Sequence, residues 1–265
     1  MYKNKGWALI LGASSGFGEA AAFALADGGF NIIGVHLDWR STFANAERIA
    51  GEIRGMGREA LFFNVNAADH NRRAEVVEAC HKAVGEDEIR VFLHSLAFGT
   101  LKPYISDDKK NAVCPADMEM TLDVMAHSFV YWTQDLFEAG LLTRGAQLFA
   151  MSSAGSHRVW PSYGPVSAAK AALEAHVRQL AVELSQYGIA VNAIQAGVAD
   201  TPAARRIPGS EQMFNKAAEM NPGGRLTRPE DVANIIATLA AHKSPDAAGW
   251  MTGNVIKIDG GEDIV

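Results

Sequence analysis

The beginning of this chain limits its fold more than any other part. A short apolar run, Trp7–Leu11, passes without a break into Gly12-Ala13-Ser14-Ser15-Gly16-Phe17-Gly18, and an alanine-rich helical stretch follows at 19–27. A strand that turns at once into a helix has little room. Gly12 allows a tight turn off the strand, while Gly16 and Gly18 let helix, strand and any ligand come close. The helix start then presents free N–H groups and a partial positive charge, which suits a phosphate. In this setting Gly12, Ser14, Ser15, Gly16, Phe17 and Gly18 read as a phosphate cradle. The strand before and the helix after distinguish it from an ordinary glycine-rich loop.

The same alternation runs to the end of the chain. Apolar runs fall at 31–37, 60–65, 90–95, 147–151, 190–194 and Val255–Ile258. Helical-period stretches fall between them at 45–54, 72–84, 118–139, 167–186 and 229–241. Strands alternating with helices predict βαβ units. The expected class is α/β, a single Rossmann-type doubly wound parallel sheet of about seven strands with helices on both faces. Residues 103–117 are polar and irregular and read as a loop. Residues 199–222 hold several Pro and Gly with weak periodicity, which predicts a substrate-binding loop or small helical lid. No linker, repeat or low-complexity segment divides the chain. Residues 1–265 are therefore expected to form one dinucleotide-binding catalytic domain.

Charge and cysteine content exclude other classes. The formal net charge is −6 with no run of like charge, which argues against nucleic acid as a partner. No apolar run reaches the roughly 18 residues of a membrane helix. The first six residues lack the apolar stretch of a signal peptide. A soluble, cytoplasmic protein is expected. Cys80 and Cys114 are far apart, with no Cys-x-x-Cys and no histidine at metal spacing. They read as two free thiols, and no metal site is expected.

The spacing Gly-x-x-x-Gly-x-Gly resembles that of the short-chain dehydrogenase/reductase family. The likeness covers nearly the whole chain. Asn64-Val65, Gly223-Gly224-Arg225 ahead of Pro229-Glu230-Asp231-Val232, Thr252-Gly253 and Asp259-Gly260-Gly261 each match family segments. The resemblance implies a nicotinamide cofactor, a tyrosine that donates a proton, and a lysine that binds the nicotinamide ribose. The lysine's charge would also lower the tyrosine's pKa. Most members space the pair Tyr-x-x-x-Lys, but Val166 stands four residues before Lys170. The tyrosine is Tyr163, with six residues between it and Lys170. Lys170 lies among Ala169, Ala171 and Ala172, a small-residue surface suited to close packing. An ammonium there requires a polar partner, and a ribose diol would serve.

The longer spacing is similar to one branch, the enoyl-acyl-carrier-protein reductases of bacterial fatty-acid synthesis. So are His94-Ser95-Leu96-Ala97-Phe98, the helical segment 168–175 and Asn192-Ala193-Ile194-Gln195-Ala196-Gly197. The resemblance implies that Ser95, Leu96, Ala97, Ala196, Gly197 and Val198 line the cofactor. It places Asn64 and Val65 near the adenine and the Thr201 hydroxyl on the nicotinamide amide. The branch often carries a second tyrosine ten residues before the first. Ser153 stands there, so Ser152 or Ser153 is expected to hydrogen-bond the substrate oxygen.

The end of the second strand, His36-Leu37-Asp38-Trp39-Arg40-Ser41, holds conflicting signals for the cofactor's 2′ position. An acid there suits NADH and an arginine suits the 2′-phosphate of NADPH. Asp38 favours NADH. Arg40-Ser41 resembles NADPH-using relatives, although Ser15 stands where many of those carry Arg or Lys. Because Arg40 and His36 are both able to approach a phosphate, the balance leans slightly to NADPH.

The resemblance therefore implies NAD(P)H-dependent reduction of the 2,3 double bond of an enoyl thioester carried on acyl carrier protein. It also implies a homotetramer built on the helices at 118–139 and 167–186. One alternative is a reductase of ketones or 3-ketoacyl thioesters, against which stands the missing Tyr-x-x-x-Lys. A second is an enoyl reductase of specialised lipid synthesis. A third is a non-catalytic dinucleotide-binding protein, against which both Tyr163 and Lys170 are present.

Overall fold

Parallel strands need long crossovers, and the crossover helices must cover both faces of the sheet. The computed structural model describes residues 5–39, 42–241 and 250–265. Its strands are β1 (Trp7–Leu11), β2 (Asn31–His36), β3 (Ala60–Asn64), β4 (Ile89–His94), β5 (Gln147–Ser153), β6 (Ala190–Ala196) and β7 (Val255–Ile258). They form one sheet in the order β3-β2-β1-β4-β5-β6-β7. Every pairing is parallel. The expected doubly wound sheet is present. β1, buried at all its positions, explains why the strand reads as an unbroken apolar run rather than an alternating one.

The helices are α1 (Gly16–Asp27), α2 (Phe43–Gly55), α3 (His70–Val84), α4 (Pro115–Leu122), α5 (Ser128–Glu138), α6 (Gly164–Ser185), α7 (Ser210–Met220) and α8 (Pro229–Ala240). α1, α2 and α8 cover one face over a core that includes Ile10, Leu25, Ile49, Phe149 and Ile236. α3, α5 and α6 cover the other over Leu9, Val76, Phe92, Trp132 and Leu173.

This topology creates the site. β1 lies between β2 and β4, and the chain leaves β1 in one direction and returns on the other side. A crevice opens where the order reverses, at the carboxyl ends of β1 and β4. Two glycines allow these ends to close up. Gly12 has φ +85°, and a Cβ there would lie 2.4 Å from the Ser95 carbonyl oxygen at the end of β4. A Cβ on Gly18 would lie 2.0 Å from the Gly12 carbonyl oxygen. No side chain fits either place.

Three boundaries differ from the sequence reading. The helix expected over 118–139 is interrupted by a π turn, Asp123–His127, between α4 and α5. At its end the Ser128 hydroxyl donates to the Val124 carbonyl at 2.7 Å, a back-bond that loosens the helical ladder. The helix also starts early, at Pro115, within the stretch read as a loop. Pro115 lacks an N–H that the first turn would leave unpaired anyway. The Asp117 carboxylate accepts from the Cys114 N–H at 3.1 Å. Finally, α6 begins at Gly164 rather than 167, which makes Tyr163 its N-cap. Residues 199–222 are partly helical, with a 3-10 turn at Ala204–Arg206 followed by α7. Both cysteines are free, Cys80 buried and Cys114 exposed.

The Gly18 contact makes a direct test. Gly18→Ala should destabilise the protein by about 1–3 kcal/mol through overpacking. It should also weaken dinucleotide binding, because relief requires α1 to move off β1. Thermal unfolding and a nucleotide titration measure both, and an unchanged midpoint with unchanged affinity would contradict this packing.

Candidate active site

The crevice continues into a cavity of about 470 Å³ at the carboxyl ends of β4, β5 and β6. Ser95, Leu96 and Ala97 line it from the end of β4, and Ser152 and Ser153 from β5. Ala196, Gly197, Val198 and Thr201 line it from β6 and the following turn, and Phe17 from the glycine-rich loop. Tyr163 and Lys170 come in from α6. Residues scattered from 17 to 201 in the sequence thus share one wall.

Tyr163 is set by a turn. Its N–H donates to the Trp160 carbonyl at 3.2 Å. Pro161 and Ser162 occupy the two corners, and Ser162 has φ +61°. Proline followed by a positive-φ residue is the type II arrangement, which normally takes glycine at the second corner. Ser162 is the one non-glycine residue with positive φ among the described residues. Such strain is held by the structure around it. Here it fixes the entry of Tyr163 onto α6. The Tyr163 ring lies against Gly155, with the Ser153 hydroxyl flanking the same spot. Burial pushes the Tyr163 phenol above its ordinary pKa, and Ser153 pulls the other way.

Lys170 lies two turns along α6 and is buried, with 5% of its surface exposed. Its Nζ donates to the Met151 carbonyl at 2.6 Å. Burial pushes the ammonium down to about 8, against the opposing pull of Glu174. The two serines part company. The Ser152 hydroxyl donates to the Glu174 carboxylate, whereas Ser153 Oγ faces Tyr163 and accepts from the Gly155 N–H at 3.1 Å. Of the two, Ser153 is therefore the hydroxyl that stands beside Tyr163 in the cavity. His94, fully buried at the end of β4, is a structural group. Ser128 spends its proton on Val124, so His94 Nε2 donates to Ser128 Oγ at 2.8 Å. Burial first, then the charge of Lys170, push His94 down to about 3, so it stays neutral.

Among the described residues, the remaining predicted ones lie outside this cavity, at the carboxyl ends of β1, β2 and β3 and the start of α1. Ser15 caps α1 without a side-chain hydrogen bond, and the first turn of the helix opens toward the loop. The Ser14 carbonyl accepts from Asn45 Nδ2 at 2.7 Å, which pins the loop to α2. Asp38 lies beside this loop. Burial tends to raise its pKa, but hydrogen bonds from Thr42, Ser14 and His36 outweigh that and keep it lowered. His36 is buried, and its Nδ1 donates to Asp38 at 2.8 Å. Asn64 Oδ1 accepts the Asp38 N–H at 2.8 Å while its Nδ2 donates to the Asp38 carbonyl at 3.0 Å. Asn64 thus holds the Asp38 loop. Val65 follows it, with its N–H on the His36 carbonyl. The Thr201 hydroxyl accepts from the Ala204 N–H at 3.2 Å, and its methyl lies near Gly16. Arg40 lies outside the described residues.

The family described as enoyl-(acyl carrier protein) reductase matches residues 12–262. The chain belongs to it. As a member of this short-chain oxidoreductase family, it has relatives that differ in reach and in chemistry. It is 33% identical to the NADH-type enoyl-acyl-carrier-protein reductase FabI of Buchnera aphidicola over 65% of this chain and 64% of that protein. It is 27% identical to 1-cyclohexenylcarbonyl-CoA reductase of Streptomyces collinus over 97% of this chain and 86% of that protein. Among solved structures, an enoyl-acyl-carrier-protein reductase (NADH) of Aquifex aeolicus has a TM-score of 0.83. It is 23% identical, covering 99% of this chain and 98% of that one, a likeness of fold. A 3-oxoacyl-acyl-carrier-protein reductase of Brucella melitensis, solved with NAD, also has a TM-score of 0.83. It is 25% identical, covering 100% of this chain and 99% of that one.

Three residues at or beside the cavity escaped the sequence reading. Glu262, near the C-terminus, lines the cavity and accepts the Val198 N–H at 3.0 Å. Nothing local marks it, since its partner is 64 residues away. Met125 reaches the cavity from the π turn, and helical periodicity conceals such a turn. Glu174 had a readable signal, because it stands one turn after Lys170.

The separation of the serines predicts unequal effects. Ser153→Ala should lower turnover about ten- to a hundredfold, the worth of one hydrogen bond to a charged oxygen. Ser152→Ala should cost clearly less. Steady-state rates decide it, and a larger loss in Ser152→Ala would reverse the assignment.

Proposed function

We propose that this protein is an enoyl-thioester reductase using NADH. The observation that carries the proposal is one cavity holding Tyr163, Ser153 and buried Lys170 at its floor and an apolar wall above them. Leu101, Ile207, Met213 and Met220 line that wall, three of them from the 199–222 lid. Trp160 Nε1 donates to the Pro208 carbonyl at 3.0 Å and ties the tyrosine's loop to the lid. A floor of hydrogen-bond donors below an apolar wall suits an acyl chain ending in a polar thioester.

The chain's residues fit a dinucleotide. The bare backbone at Gly12 and Gly18 and the open first turn of α1 suit a pyrophosphate. Asp38 suits ribose hydroxyls, and Lys170 the nicotinamide ribose. A bound reduced nicotinamide supplies hydride, and the rest is the protein's part. Hydride arriving at the β-carbon of an enoyl thioester moves negative charge to the carbonyl oxygen. Tyr163, whose raised pKa keeps it protonated, donates a hydrogen bond to that oxygen, and Ser153 supports it. Lys170 adds positive potential and orients the ribose.

NADH is favoured over the NADPH suggested by the sequence. That lean rested on Arg40 and His36. His36 is buried and committed to Asp38, so it offers nothing to a phosphate, and an ionised Asp38 beside the loop would repel one. The NADH-type names of the FabI relatives support the same choice.

The acyl group would arrive on acyl carrier protein, and the enzyme would act as a homotetramer through α4–α5 and α6. Among the described residues no helix is long and apolar enough to cross a membrane. A second reading, reduction of a 3-ketoacyl thioester, is supported by the likeness to the Brucella enzyme over the whole chain. The Tyr163–Lys170 spacing favours the enoyl reading.

Nicotinamide absorbance with crotonyl-CoA, a longer enoyl-acyl carrier protein and acetoacetyl-CoA separates the two. Oxidation of NADH by the enoyl thioesters alone is expected. Turnover of acetoacetyl-CoA alone would establish the ketoreductase instead. Asp38→Ser should raise the use of NADPH relative to NADH.

A further inference from the structure

Tyr163, Lys170 and Glu174 occupy one stripe of α6. Steps of seven and four residues return to nearly the same direction on a helix. Tyr163 and Lys170 have their roles in the reaction, whereas Glu174 has none yet. It is half-buried, and the Ser152 hydroxyl donates to its carboxylate from the end of β5. A carboxylate fixed in this way, one turn below a buried ammonium, is costly unless its charge is used.

We propose that Glu174, held by Ser152, is a positioning residue that keeps Lys170 in its ammonium form. This rests on the reading of Lys170 as the ribose-binding group. An ammonium at 5% exposure loses most of its hydration. Among the described residues its one direct acceptor is the Met151 carbonyl, which is neutral. The groups around it come from three elements. β5 contributes the Met151 carbonyl and the Ser152 hydroxyl. β4 contributes His94, whose neutral imidazole adds no charge. α6 contributes Glu174, and its N-cap Tyr163 lines the same cavity. Glu174 is the one anion in this set, and its charge opposes the effect of burial on Lys170. Without it, burial would act alone and Lys170 would lose its proton nearer to neutrality. It would still be able to hydrogen-bond the ribose, but not to attract the anionic cofactor or stabilise charge on the substrate oxygen.

The sign of the pH dependence follows. Lys170 acts while protonated, so function is full below its pKa and falls as pH rises through it. In the wild type the break should lie near pH 8. Removing a nearby charge typically shifts a buried group by about one unit or more, so Glu174→Gln should move the break at least about one unit lower. Glu174→Asp keeps the charge and should leave the break close to the wild-type position.

The test is the dissociation constant of NADH, followed by fluorescence from pH 6 to 9.5 for wild type, Glu174→Gln and Glu174→Asp. It needs no substrate, so it stands even where no enoyl thioester is reduced. Steady-state rates over the same range supply a second profile. A break that moves down in Glu174→Gln and stays in Glu174→Asp supports the proposal. Glu174→Met, apolar and of similar length, replaces Glu174→Gln where that variant does not fold, and must move the break in the same direction. A uniform loss of affinity with an unmoved break would make Glu174 merely structural and overturn the proposal. No break at all in the wild type, with Lys170→Ala binding NADH normally, would instead overturn the role given to Lys170.

Discussion

The structure turns on a buried ammonium. Lys170 is inserted between α6 and the end of β5, where water does not compensate its charge. Its Nζ meets the Met151 carbonyl at 2.6 Å. Few globular proteins place a lysine there without use, because the desolvation cost is several kcal/mol in the absence of partners. The small residues beside it that face the core, Ala169 and Ala172, let α6 pack close to the sheet and create the burial. The same closeness brings Tyr163 over Gly155 and Ser153. The geometry of the site and the cost of the lysine thus share one origin.

The rest of the crevice depends on the sheet order. Reversal between β1 and β4 would leave a gap of little use if side chains filled it. Gly12 and Gly18 keep it bare, and Asn45 and Asn64 hold the two loops that border it. These anchors sit outside the reaction, yet they decide where Asp38 and the glycine-rich loop stand. The glycine-rich end is bare backbone, whereas the other end is lined by apolar side chains, two of them, Met213 and Met220, on the short helix α7. That division suits the proposed pairing of a fixed cofactor with a variable acyl group.

Much of this was legible in the sequence. The strand Trp7–Leu11 and its glycines marked the dinucleotide end, because a buried strand, a bare turn and a helix start leave few other solutions. Tyr163 and Lys170 were found through the resemblance that their spacing carries, and the structure puts both in one cavity. Long-range partnerships were not legible. The lean to NADPH counted His36 as a partner for a phosphate, since sequence does not show that His36 is buried and committed to Asp38. The choice between Ser152 and Ser153 depended on which one meets Glu174, a contact across 22 residues. The π turn was hidden because its register change comes from the Ser128–Val124 bond and His94, not from a break in the apolar pattern.

The central claim is that Tyr163 stabilises the substrate oxygen while Lys170 serves the cofactor. The most direct measurement is turnover of an enoyl thioester by Tyr163→Phe, with the NADH dissociation constant taken on the same sample. Turnover should fall about a hundredfold or more, the usual worth of a positioned proton donor, while NADH affinity stays within about twofold. Full turnover in Tyr163→Phe would contradict the claim, and so would a loss that came entirely from NADH binding.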